Sequence, residues 1–194
     1  TVLFTDDGGK TWKHQAGCPI KRPGGDVVLL GINFVDNHIG WTVGEFGSIY
    51  HTTNGGTTWE KQSVQCFLLS GAHVIYDNVG FAVGDRGEIL YTSDGGQTWK
   101  ERESTTMECF SSVYFVQDRL GWAVAEWGVI AHTEDGGTTW SRQEGGTKSA
   151  LLGVFFVDSQ HGWIVGEGGE ILYPESGAAP LPGGAGGGWT PQNS

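Results

Sequence analysis

Short apolar runs, each closed by a polar or glycine-rich turn, follow one another along the chain. The pattern is clearest in the third stretch. Phe110 to Val116 is one run and Gln117 to Gly121 a turn; Trp122 to Ala125 is a second run and Glu126-Trp127-Gly128 turns the chain again. Val129 to His132 is a third run, and after a further turn Trp140 to Gln143 is a fourth. Runs this short, rich in β-branched and aromatic residues and without a 3.6-residue period, predict strands. Four short antiparallel strands in about 40 residues are one blade of a β-propeller. Val113 to Val116 and Gly153 to Val157 are apolar without alternation, as expected of a sheet covered on both faces.

One turn recurs as a string. Thr133-Glu134-Asp135-Gly136-Gly137-Thr138-Thr139-Trp140 has counterparts at Thr5 to Trp12, Thr52 to Trp59 and Thr92 to Trp99. The acceptors Asp7, Asn54, Asp94 and Asp135 suit hydrogen bonds to backbone N–H groups two residues on, and the Gly pair admits positive φ. Trp12, Trp59, Trp99 and Trp140 then open a strand with a large apolar surface. These eight residues read as a structural staple, because a catalytic residue is rarely needed once per repeat.

The registers set the domain organisation. The aromatic that opens each second strand falls at Trp41, Phe81, Trp122 and Trp163, spaced 40, 41 and 41 residues apart. The wider gap between Trp12 and Trp59 is explained by an insertion, Pro19 to Asp26, and such loops often carry binding determinants. Gly44, Gly84, Ala125 and Gly166 share a register where close approach excludes a large side chain. The whole chain, 1–194, therefore reads as one all-β propeller of four-stranded antiparallel blades: a half blade over 1–15, then full blades over about 26–62, 66–103, 109–143 and 150–192. A Gly/Pro-rich insertion at 174–188 replaces the last staple, with Trp189 to Gln192 as the closing strand. Four blades and a half leave the ring open, so the chain reads as part of a larger propeller or one closed by a partner.

Charge narrows the function. There are 11 Lys and Arg against 22 Asp and Glu, a formal net charge of -11, which makes nucleic acid a poor partner. No run approaches the ~20 apolar residues of a membrane span. Cys18, Cys66 and Cys109 show no metal-type spacing, yet each follows the Trp of a repeat where one unit passes to the next. A disulfide between neighbouring units and buried or semi-buried thiols are both open, and the thiol reading leads. No cofactor or metal is implied.

Glu45, Asp85, Glu126 and Glu167 occupy one register, before the turn between second and third strands, on the face opposite the staples. They form either an acidic ring for a cation or a basic partner segment, or caps for their own turns; capping leads, because repeat-wide residues mostly serve the repeat. Phe46, Arg86 and Trp127 follow these acids. An aromatic at a turn tip is either a contact for protein or sugar, or packs onto the next blade. His51 and His132 read as satisfied strand histidines, His38 and His161 as solvent-exposed.

Phe156-Val157-Asp158, Gly162-Trp163-Ile164-Val165-Gly166-Glu167 and Gly169-Glu170-Ile171-Leu172, coupled to the Asp-containing turns, resemble the BNR or Asp-box repeat proteins, specifically the photosystem II stability/assembly-factor family. The resemblance covers Thr1 to Tyr173. It implies a seven-bladed, non-enzymatic propeller at the periplasmic or lumenal side of a membrane, which binds polypeptides of a membrane complex, including a photosynthetic reaction centre, as an assembly factor or peripheral scaffold. The alternative is a glycan-binding or glycoside-hydrolase propeller of the sialidase or xyloglucanase type. Hydrolysis needs two carboxyl groups ~5–10 Å apart across the bond, and sialidases also need clustered arginines and a tyrosine nucleophile. Here the acids repeat evenly and the tyrosines sit mostly inside strands, so the sequence reads as no enzyme.

Overall fold

The computed structural model describes residues 2–15, 21–22, 25–174 and 188–192. The expectations for Cys18 and for the body of the Gly/Pro-rich insertion fall outside the described residues. Half a unit comes first, with β1 (Leu3–Phe4) and β2 (Lys13–His14) paired antiparallel. A small hairpin of β3 (Lys21–Arg22) and β4 (Gly25–Asp26) follows, inside the stretch read as an insertion.

Four sheets then repeat one plan. The first is β5 (Leu29–Phe34), β6 (Gly40–Gly44), β7 (Ser48–Thr52) and β8 (Glu60–Ser63). The second is β9 (Leu69–Tyr76), β10 (Val79–Gly84), β11 (Ile89–Thr92) and β12 (Lys100–Glu101). The third is β13 (Phe110–Val116), β14 (Leu120–Ala125), β15 (Val129–Thr133) and β16 (Ser141–Glu144). The fourth is β17 (Leu151–Phe156), β18 (Gly162–Gly166), β19 (Ile171–Pro174) and β20 (Trp189–Pro191). All four are antiparallel meanders in chain order. Their first strands adjoin one another, β5 against β9, β9 against β13 and β13 against β17, so the sheets stand as propeller blades about their inner edges.

Glycine makes that convergence feasible. A Cβ on Gly31 would lie 2.9 Å from the Ser70 carbonyl, and one on Gly71 would lie 3.0 Å from the Ser112 Cα. The core lies between sheets. Trp41, Val43 and Ile49 of the first sheet pack on Leu69, Val74, Ala82 and Leu90 of the second. The same geometry stacks Phe81 on Phe115 at 4.3 Å and Trp122 on Phe156 at 3.9 Å at the next two junctions. Offset ring pairs of this kind add roughly 0.5–1.5 kcal/mol to their area burial.

The staples close the outer ends. Thr92 Oγ1 donates to Asp94 Oδ1 at 2.8 Å and accepts from Gly96 N at 2.8 Å, while Asp94 accepts from Thr98 N at 2.9 Å and from Thr98 Oγ1 at 2.6 Å. Asp7 and Asp135 repeat this set with Thr11 and Thr139. At Asn54 the last bond reverses, and its amide donates to Thr58 Oγ1 at 2.8 Å. Trp59 and Trp140 are buried and Trp99 half-buried behind these turns, whereas Trp12, in the half unit, is 61% exposed.

In the register of small residues, a Cβ on Gly44 or Gly84 would overlap the carbonyl of Val28 or Leu68, and Ala125 carries its methyl group fully buried. One local expectation is corrected, at His132. His132 is buried with neither ring nitrogen hydrogen-bonded among the described residues; it packs against Trp122 at 4.9 Å instead of being satisfied. Cys66 and Cys109 are half-buried free thiols. Among the described residues no helix is long and apolar enough to cross a membrane.

Candidate functional site

Each sheet turns between its second and third strands at the same end from which its fourth strand leads into the next sheet; the staples lie at the opposite end. The first of these ends forms a rim. In three of its turns a bulky residue sits in the left-handed region: Phe46 at φ 58°, Arg86 at 55° and Trp127 at 59°. The fourth sheet makes the same turn with Gly168, φ 72°. L-residues in this region cost roughly 1–2 kcal/mol relative to glycine, so three turns hold large side chains against local preference. The following glycines are fixed by packing: a Cβ on Gly47, Gly87 or Gly128 would overlap the carbonyl of Val64, Thr106 or Thr147 in the loop alongside.

The side chains so placed face solvent. Phe46 is 49% exposed and Trp127 is 64% exposed. Sequence reasoning missed two companions in the neighbouring loops, Phe67 at 64% and Met107 at 75%. Phe46 N donates to Phe67 O at 2.6 Å, which joins turn to loop, and the Arg86 guanidinium lies 4.8 Å over the Phe67 ring. A cation over a ring holds both in place while leaving the outer surface of each free. Phe67 precedes Leu68 and Leu69 in one apolar run; nothing in that run shows which member turns outward until the strand register is known.

The acids divide into two pairs. Asp85 Oδ1 accepts from Leu68 N at 3.1 Å and Glu45 Oε2 from Val28 N at 3.3 Å, so these two bind the backbone just ahead of a first strand. Glu126 and Glu167 are exposed and make no side-chain hydrogen bond or ion pair among the described residues. The rim interior is electronegative. Burial, then Glu88 and Asp85, push the Cys66 thiol up to about 12, which leaves it protonated and inert as a nucleophile. Burial and the neighbouring Glu101 and Asp85 also raise Glu88. Among the described residues no three His, Cys, Asp or Glu side chains group closely enough to hold a metal ion.

Comparison with known proteins adds the following. The family model for photosynthesis system II assembly factor YCF48 matches residues 1–68 and 67–148. No curated protein sequence matches the chain. A structure of YCF48 bound to D1 peptide superposes with a TM-score of 0.64 at 20% identity, covering 87% of this chain and 54% of that one. YCF48 from Cyanidioschyzon merolae gives 0.64 at 22% identity, covering 85% and 56%. An ancestral GH74 enzyme gives 0.64 at 14% identity, covering 80% of this chain and 24% of that one. At these identities the structural likeness is one of fold, and the chain spans a little over half the length of the YCF48 structures.

Proposed function

The chain belongs to the photosynthesis system II assembly factor YCF48 family, and from that premise we propose that it is a non-enzymatic propeller that binds a polypeptide segment of a membrane complex during assembly. The observation that carries the reading is the set of bulky residues, Phe46, Arg86 and Trp127, held at left-handed turn tips where glycine suffices in the fourth sheet. Side chains placed at such a cost and left exposed serve a contact outside the fold. With Phe67 and Met107 they make an apolar rim that carries the Arg86 guanidinium, bordered by the free carboxylates Glu126 and Glu167. That chemistry fits an extended polypeptide whose apolar side chains settle between the aromatics and whose basic groups meet the acids. A D1 peptide, the ligand of one YCF48 structure, is the natural probe. In this reading the chain works outside the cytoplasm, in the periplasm or thylakoid lumen, peripheral to the membrane.

The test is calorimetry with a D1 peptide against the chain and its Phe67→Ala and Trp127→Ala variants. Both residues are exposed, so folding stability should hold while affinity falls about 10- to 100-fold. Unchanged affinity in both variants would remove the rim from the function. The GH74 likeness keeps a glycan reading in view at the level of fold alone; xyloglucan incubated with the chain should stay intact, and release of reducing ends would overturn the non-enzymatic reading.

A further inference from the structure

The seam between the second and third sheets collects buried donors with no acceptor. The fourth strand of each sheet sets one residue opposite a fixed isoleucine of the third strand: Gln62 opposite Ile49 and Gln143 opposite Ile130. Ile89 is the counterpart of these isoleucines, since Val43↔Ile49, Val83↔Ile89 and Val124↔Ile130 share one register. Arg102 N donates to Ile89 O at 2.8 Å, so Arg102 holds the glutamine's place in the second sheet. At the seam before it, Gln62 Oε1 is the one acceptor that Trp41 Nε1 and Trp99 Nε1 share, at 3.1 and 3.3 Å. At the seam after it, Gln143 Oε1 accepts from Trp189 Nε1 at 3.3 Å. Arg102 carries donors alone, so at this seam a guanidinium meets an indole N–H and neither can serve the other.

Both donors are sunk in the seam. Trp140, the counterpart of Trp99 and Trp189, is 9% exposed and stands edge-on to Phe81 and Phe115, with ring centroids 6.3 and 5.8 Å away. Trp140 Nε1 and Arg102 Nε are both buried without a hydrogen-bond partner among the described residues. Arg102 is half-buried and enters no ion pair among the described residues. Its guanidinium lies 4.5 Å over Tyr91, which packs against the same apolar cluster as Trp140. A ring face attracts the charge and gives its N–H groups no lone pair in return. Trp59 and Trp122 also bury an unpartnered Nε1 among the described residues, but the tie position beside them holds Gln15 and Gln143. An indole alone suits a buried water; an indole beside a guanidinium without a counter-charge calls for an anion.

We propose that this seam binds a halide ion, chloride in ordinary solution, between Arg102 Nε and Trp140 Nε1, in the place that Gln62 Oε1 fills one seam earlier. The ion accepts from both N–H groups and supplies the charge that the half-buried guanidinium lacks. A single atom matches the single acceptor it replaces, and Phe81 and Phe115 wall off the space a polyatomic oxyanion would need. The ion ties the second sheet to the third as glutamine ties the first to the second, and it is independent of binding at the rim.

The test is the melting temperature of the chain as sodium chloride replaces sodium gluconate at a constant ionic strength of about 0.2 M, which holds screening fixed. A saturable rise of about 2–4 °C is expected. Crystals soaked in sodium bromide should show an anomalous peak within hydrogen-bond distance of Arg102 Nε and Trp140 Nε1. Arg102→Gln restores the glutamine tie, so it should abolish the chloride dependence and melt in gluconate no lower than the parent. Trp140→Phe keeps a ring and removes one donor, and should move the midpoint of the chloride titration up about tenfold. A melting temperature indifferent to chloride, a rise that Arg102→Gln retains in full, or a seam without bromide would overturn the proposal.

Discussion

At the residue scale, titration separates the groups that hold turns from those that fill the core. Hydrogen bonds from the side chain and backbone of Thr98 lower the Asp94 carboxyl to about 2, and Thr11 does the same for Asp7. At Asp135 burial opposes the shift, and the bonds from Thr139, Thr133 and Thr138 outweigh it. The folded staple therefore binds a proton less readily than the unfolded chain, whose carboxyls sit near 3.8. Stability from these carboxylates is complete above that value and is lost as pH falls through about 2. Burial pushes His73 and His132 down to about 4 from 6.5, so their contribution is present above 6.5 and is lost between 6.5 and 4. Acid unfolding should thus proceed in two windows. Melting temperature measured against pH should lose part of the upper slope in His132→Phe and part of the lower slope in Asp94→Asn. Asn54 already shows that an amide closes this turn. Parallel curves for both variants and the parent would contradict the assignment.

At the element scale, a single glutamine ties one sheet to the next. Gln62 Nε2 donates to Gly95 O at 2.8 Å, and its Oε1 accepts from Trp41 Nε1 at 3.1 Å and from Trp99 Nε1 at 3.3 Å. Gln15 reaches Gly55 O in the same way, and Gln143 accepts from Trp189 Nε1. Arg102 stands at this place in the second sheet, where it lies over Tyr91 at 4.5 Å, and it has no acceptor to offer; Trp140 Nε1 is buried without a partner among the described residues. Replacing Gln62 by Leu would orphan two indoles and a carbonyl and should cost about 1–3 kcal/mol in urea unfolding, since each loses its protein partner at a half-buried seam. A change below about 0.5 kcal/mol would mean that water satisfies these groups as well. The strands of this repeat were legible in the sequence, because β13 keeps the bounds Phe110–Val116 and the aromatic and staple registers recur at nearly constant spacing. The glutamine tie was not, because a strand pattern records which face a residue occupies and carries no mark of a partner in another sheet. Phe67 and Met107 were hidden for a related reason: in Phe67-Leu68-Leu69, and at the lone Met107 of its polar loop, outward and inward positions look alike until the neighbouring sheet is placed. The acids were legible as a register, but their division into backbone-binding Glu45 and Asp85 and free Glu126 and Glu167 depends on how closely each neighbouring loop approaches.

For the whole molecule, the open ring expected from four blades and a half is visible at both ends of the fold. On the last sheet Trp163, Val165 and Ile171 are 42%, 45% and 36% exposed, although Trp122, Val124 and Ile130 at the same registers are fully buried. On the first sheet Ile32 and Phe34 are 53% and 37% exposed. These apolar faces belong to the repeat's own packing and are distinct from the rim, whose aromatics have no counterpart in any inter-sheet core. The central claim is that polypeptide is held at the rim, and amide hydrogen exchange of the chain with and without a saturating D1 peptide tests it most directly. Protection should rise in residues 45–47, 64–68, 85–87 and 126–128 and stay unchanged in the staples at 54–58, 94–98 and 135–139. Protection confined to the staples or to the bare face around Trp163 would contradict it.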